Sequence, residues 1–439
     1  MSSQRKHQDT LDIGFLVLSL GATLITLAGT LASALITISD ALQGQLDAAS
    51  VERWTAVAMA FLSLIGFYGI YFSGRRLFRD VEPEVRRPHS LSFLILIAFP
   101  LGLLFVYLGY DRRILPGLLT PLGHLITTAT PVLAAVLIAR WFGPLVSMRR
   151  TLGQFLLGLW AAPPIAFVLE AAALVPVSLS IAVGLSASPQ GKRLIESLMN
   201  ATSVPPNIPE NLAADVFLQP WVLLTIVMFL SVIVPLVEET IKTVGLWPLL
   251  RRSLTPREAF LSGALSGSGY ALFEALLLTQ AVDGWLPLLV ARGGASLMHA
   301  FTGAIGSWGI SQGIYRQKWA HTALGFFGAV AVHGLWNLGA VGINLGELLS
   351  SPEPWNPLRS GTLGIVDLSL GLVSGLVVLA IVGLIAVSIR LRRGVAEAPA
   401  AEGSPHGASP SADVVDQIIE ESDKENNGDG DIEGPHNGP

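Results

Sequence analysis

Residues 219–242 read QPWVLLTIVMFLSVIVPLVEETIK, an apolar run that ends on two carboxylates and a lysine. No charge interrupts it from Val216 to Val237. About 20 apolar residues at 1.5 Å each cross the roughly 30 Å of a bilayer's hydrocarbon. Backbone amides there have no water to pair with, so such a run has to be helical. Glu238, Glu239 and Lys242 sit in the same run, each costing at least about 2.5–3.5 kcal/mol on insertion scales. Groups that expensive face a protein interior and serve a purpose there.

Working outward, the pattern recurs along the chain. Apolar stretches predict ten spans near 12–38, 54–73, 91–109, 117–139, 155–184, 219–250, 259–281, 293–315, 319–342 and 363–389, hence an all-α polytopic membrane protein. Composition agrees, with 51% hydrophobic and only 13% charged residues, about half the charged share of a soluble domain. Pro163, Pro164 and Pro176 in the fifth span and Pro235 in the sixth predict kinks or breaks. Ala32-Ser33-Ala34 resembles a signal-peptide cleavage site, but the first apolar run is too long for one, so an uncleaved anchor is expected.

The formal charge of −5 divides unevenly. From Gly394 to Pro439 eleven carboxylates face one cation, Lys424, and the remainder of the chain is net positive by five. That tail is too poor in apolar residues to fold alone. With the N-terminus inside, Lys and Arg divide 19 to 7 between inner and outer segments, leaving Lys242 within a span. This split predicts that both ends are cytoplasmic. The expected organisation is residues 1–218 as about five spans and an outer loop (185–218), 219–342 as a four-helix core, 343–393 as an outer loop and the last span, and 394–439 as a disordered acidic tail. No cysteine is present, which excludes disulfides, thiolate metal ligands and a cysteine nucleophile. Nothing points to a nucleic-acid partner.

Depth connects the buried charges. Counted from the nearest inner charge, Glu238 lies about 20 Å up, Glu274 about 24 Å, His299 about 25 Å and His333 about 22 Å. Four successive helices thus bring titratable groups within about 5 Å of one level, in the outer half of the bilayer. Lys242 is three residues from Glu239 and four from Glu238, so it reaches either carboxylate on one helix face. His333 and Asn337, four apart, project to one side. Gly263, Gly267, Gly303, Gly306, Gly325, Gly328 and Gly334 predict close helix packing around them.

Such a cluster suits hydrolysis. A carboxylate holding water with a histidine opposite is a general-base arrangement. A neighbouring His and Asn can donate hydrogen bonds to an oxyanion. Two histidines and a carboxylate can equally hold a divalent metal; His-Glu-x-x-His is absent, so the ligands would come from three helices.

The order Glu238-Glu239-x-x-Lys242, Phe273-Glu274, Arg292 with His299-Ala300-Phe301-Thr302, then His333-x-x-x-Asn337 resembles the PrsW family of intramembrane proteases, grouped with the CAAX prenyl endopeptidases. The resemblance covers residues 219–342. It implies cleavage of membrane-protein or peptide substrates in the bilayer, such as anti-sigma factors, by an enzyme of the bacterial plasma membrane. Carried over, Glu238 is the base that activates water, helped by His299, and Glu239 with Lys242 orients the site. His333 and Asn337 stabilise the oxyanion, and Glu274 is a second acidic member. Ala275 departs from the pattern, since family members commonly have a polar residue after that glutamate. A metal-free glutamate mechanism is expected; a metal such as zinc on His299, His333 and Glu238 is the alternative. Arg292 is expected at the outer interface, steadying substrate at most, and Glu170 and His124 are expected only to bridge helices. The buried charges also suit a proton- or cation-coupled transporter, although no repeat is present, or a protein of this fold that binds peptides without cleaving them.

Overall fold

The computed structural model describes residues 3–44, 48–79, 87–200, 216, 219–250, 254–277, 285–349 and 359–396. Ten helices among them are long and apolar enough to cross a membrane. They are α1 (Thr10–Leu42), α2 (Arg53–Phe78), α3 (Ser90–Asp111), α4 (Pro116–Phe142), α5 (Met148–Ser186), α6 (Pro220–Gly245), α7 (Pro256–Leu277), α8 (Pro287–Arg316), α9 (Trp319–Gly346) and α10 (Gly364–Leu391). No strand occurs among the described residues. All ten expected spans are present. The acidic tail beyond Ala396, Arg251 and Arg252, and residues 201–215 of the outer loop lie outside the described residues.

α7 is the most enclosed of the ten. Its small residues Ser262, Gly263, Ser266, Gly267 and Ser268 are buried along with Phe260, Leu261 and Leu265. Phe260, Leu261, Ala264 and Leu265 pack with Ala135 and Ala139 of α4, Ala300, Phe301 and Ala304 of α8, and Ala380 and Leu384 of α10. On the other side α5 is tied to α7 by Gln154 Nε2 donating to Ser262 Oγ at 2.7 Å and by an Arg150–Glu258 ion pair at 2.6 Å. Arg149 of α5 pairs with the buried Asp12 of α1.

The close approach of α7 to α8 has a steric cause. A Cβ on Gly263 would collide with the Gly303 carbonyl, and one on Gly267 with the His299 carbonyl. Only glycine permits backbone contact at these positions, as at small-residue interfaces generally. Gly306 and Gly328 do not share this role, for Gly306 meets only Ala329 at an ordinary 3.7 Å and Gly328 faces open space.

Between α8 and α9 the chain turns in two residues. Gln317 adopts φ 56°, its N–H returns to Gly313 O at 3.1 Å, and Lys318 N–H reaches Gln312 O at 3.0 Å. A left-handed residue closing the last turn in this way ends the helix abruptly. The resulting hairpin brings His299 and His333 to one height, with ring centroids 4.9 Å apart.

The prolines act through π-turns. Leu157–Ala161 is a π-turn just before Pro163 and Pro164, and Phe229–Ile233 is one just before Pro235. In the second, Val234 N–H bonds to Phe229 O. The next bond in that register would run from Pro235 to Leu230 O, and proline has no N–H to supply it. Leu230 O instead accepts from Asn337 Nδ2 of α9 at 2.8 Å. α9 comes that close because Gly334 lies against the Ser231 carbonyl, where a Cβ would not fit. Pro176, by contrast, lies within continuous helix.

Candidate active site

The helical turn that carries Glu238 and Glu239 starts directly after the Pro235 break, so both carboxylates point inward from α6, buried with Lys242. Glu239 is saturated. Its Oε1 accepts from Lys242 Nζ at 2.7 Å, His333 Nδ1 at 2.8 Å and Thr302 Oγ1 at 3.0 Å. Three donors from three helices fix it at that oxygen.

Glu238 is the opposite case. Its Oε2 is buried and has no hydrogen-bond partner among the described residues, though Lys242 Nζ approaches it as an ion pair at 3.0 Å. His299 Nδ1 lies 4.0 Å and His333 Nε2 3.8 Å from that oxygen.

The second nitrogen of each ring is braced by a carboxylate. His299 Nε2 is 2.8 Å from Glu274 Oε2, and Glu274 Oε1 in turn pairs with Arg292 Nη1 at 2.5 Å. His333 Nδ1 faces Glu239. An ionised carboxylate only accepts, so these nitrogens carry the ring protons, and a neutral His299 and His333 present Nδ1 and Nε2 as lone pairs. With Nδ1 facing Glu239, the nitrogen that His333 turns toward Glu238 is Nε2.

Glu238, His299 and His333 each offer one ligand atom, all within 4.8 Å of one another. Two imidazoles and a carboxylate are a donor set suited to a divalent cation such as zinc. Histidines held from behind by carboxylates are the usual outer support of such a site. A third fitting feature is Glu238 Oε2, buried with a cation, Lys242 Nζ, as its one close partner among the described residues, and on these observations the residues suit a metal.

A cavity of about 610 Å³ opens onto this cluster. Glu238, Glu274, Arg292, His299 and His333 form its polar end, while Leu223, Leu230 and Val341 line its apolar wall and Asn337 stands between.

Comparison with known families agrees with the geometry. Residues 147–352 match the model described as PrsW family intramembrane metalloprotease. The chain carries a PrsW-family region. It is thus an enzyme of the intramembrane protease class and, with ten apolar helices, a multi-pass membrane protein. No curated protein and no solved structure matches the chain.

The PrsW-type region begins well before the stretch read from sequence and takes in all of α5. That helix brings Glu170 within electrostatic reach of Glu238, Lys242 and Glu274, and its Oε1 has no hydrogen-bond partner among the described residues. Glu170 is therefore a fourth carboxylate near the site. His124 does pack between helices, its ring stacked on Trp54 with centroids 5.7 Å apart. Arg292 points into the cavity as the partner of Glu274. Thr302 and Tyr270 were not singled out as site residues. Thr302 sits one turn after His299 and binds Glu239, and Tyr270, one turn before Glu274, places its ring face 4.7 Å from Lys242 Nζ. Those helical spacings were the available signal.

Proposed function

We propose that the chain is an endopeptidase that hydrolyses peptide bonds of membrane-associated proteins or peptides at the Glu238–His299–His333 cluster. The observation that carries this reading is the convergence of one carboxylate and two carboxylate-braced imidazoles on the polar end of a cavity with an apolar wall. An apolar peptide segment fits the wall, and the reacting bond comes to rest where water can be held.

In this reading Glu238 takes the proton from the attacking water, since it lines the cavity and, among the described residues, its Oε2 is held only by the Lys242 ion pair at 3.0 Å. Glu239, Thr302 and Lys242 hold His333 in orientation, and Glu274 with Arg292 does the same for His299. Asn337 spends one amide proton on Leu230 O and has a second to offer a developing oxyanion. A divalent cation on Glu238, His299 and His333, zinc by donor type, would polarise the scissile carbonyl and acidify bound water. A glutamate-only mechanism draws on the same residues and is favoured by one observation, the Lys242 ammonium already neutralising Glu238 at 3.0 Å.

With both termini cytoplasmic the site lies in the outer half of the bilayer, and regulatory membrane proteins such as anti-sigma factors are the substrate class. The test is cleavage of a membrane-peptide library by purified protein and by Glu238→Gln, with matched melting curves as the control for folding. Loss of cleavage in the variant is expected; equal cleavage by both removes the assignment. Activity that survives exhaustive chelation selects the glutamate-only form. Comparing host membrane proteomes with the active and Glu238→Gln forms identifies the substrate.

A further inference from the structure

Lys242 is the least exposed charged group of the cluster, at 0%. Its Nζ lies 2.6 Å from His299 Nδ1, 3.0 Å from Glu238 Oε2, 2.7 Å from Glu239 Oε1 and 3.5 Å from His333 Nδ1. The ammonium therefore engages two of the three side chains that could hold a cation, and crowds the third. An imidazole has two nitrogens. On His299, Nε2 faces Glu274 at 2.8 Å, so the only lone pair left is the one on Nδ1, and Lys242 is using it. A metal on His299 needs the same lone pair. Both cannot be bound at once.

The structure also contains a place for the lysine to go. Glu239 Oε2 is buried and has no hydrogen-bond partner among the described residues, although Glu239 Oε1 is saturated. Transfer of Nζ from His299 Nδ1 to that second oxygen would free the imidazole lone pair and satisfy the orphaned acceptor.

We infer that Lys242 is a built-in occupant of the metal position: a cation that keeps Glu238, His299 and His333 assembled when no metal is present and retracts onto Glu239 when one binds. The inference rests on the metal-holding reading of those three residues. It gives Lys242 a positioning role with two states, and makes the bound metal exchangeable, because every binding event has to displace an internal competitor.

The experiment uses the full chain in detergent micelles and Co²⁺ as the probe, with binding followed by visible absorption and competition dialysis. Lys242→Met removes the ammonium and keeps the length of the side chain. The variant should bind Co²⁺ at least tenfold more tightly than wild type, and without metal it should melt at a lower temperature, recovering when Co²⁺ is added. Equal or weaker binding by a variant with an intact melting transition overturns the role of the lysine. Uptake of no Co²⁺ by either protein removes the metal reading together with it, whereas equal uptake by both removes only the lysine's role. Should Lys242→Met fail to fold under all conditions, a structure of Co²⁺-loaded wild type decides. Nζ moved from His299 to Glu239 supports the inference, and Nζ still hydrogen-bonded to His299 Nδ1 overturns it.

Discussion

Replacing Asn337 by leucine tests how α6 is held in register. The Asn337 amide satisfies Leu230 O, an acceptor stranded because Pro235 has no N–H to give it. Interhelical hydrogen bonds in membranes average about 0.6 kcal/mol and reach about 1.7 kcal/mol. Leaving a buried acceptor unpaired costs about 1–3 kcal/mol. The acceptor here has no alternative donor in its own helix, so Asn337→Leu should cost at the upper end of the membrane range, about 1.5 kcal/mol. The prediction becomes specific in a double-mutant cycle. Pro235→Ala restores the missing N–H, so in that background the loss caused by Asn337→Leu should shrink to a few tenths of a kcal/mol, a coupling of about 1 kcal/mol. Unfolding in mixed micelles, measured on all four proteins, gives the coupling directly. Additive effects within about 0.5 kcal/mol would refute the view that Asn337 compensates for the proline.

Three further outcomes follow from the packing and the bracing. Gly267→Ala pushes a methyl into the His299 carbonyl and should destabilise by about 1–3 kcal/mol with loss of cleavage, while Gly328→Ala, facing open space, should change neither; melting temperature and activity measured together check the pair. Glu274→Ala removes the brace behind His299, and losses of about 10–100-fold in cleavage or metal affinity are expected, with little change in melting; a fall below twofold would show that His299 needs no brace. Thr302→Val deletes one of three donors to Glu239 and should cost roughly 1 kcal/mol, read from chemical unfolding, with a smaller kinetic effect than Glu274→Ala.

Much of this site was legible in the sequence because membrane helices convert residue number into depth. Glu238, Glu274, His299 and His333, placed at one level by counting from the nearest inner charge, do meet, and Lys242 does pair with both carboxylates of its own helix. Depth says nothing about rotation between helices, however. That Lys242 also reaches His299, 57 residues away, depends on the glycine contact between α7 and α8 that sets the height of His299. Arg292 was expected at the interface because an outward cation is cheap there; its actual partner, Glu274, lies on another helix, and no spacing rule links them. Glu170 was expected only to bridge helices because its span showed no matching partner. Twenty residues from Arg150, it counts to about 30 Å on a straight helix, too high for the common level, but α5 is interrupted by a π-turn and two prolines. The commitment of Asn337 to Leu230 was equally hidden, since it arises from a register shift that only the coordinates display.

The two-residue connection at Gln317 and Lys318 has a consequence for how this protein can change over time. Both imidazoles ride on the hairpin it closes, and one extra residue in the first turn of α9 would rotate everything beyond it by about 100°. His333 would then face lipid or a neighbour's flank, while every span kept its length and its apolar character. Hydropathy would register no difference, yet the chemistry would be gone. The brevity of that link acts as an index mark, and length variation should be tolerated in the chain's other connections long before it is tolerated there.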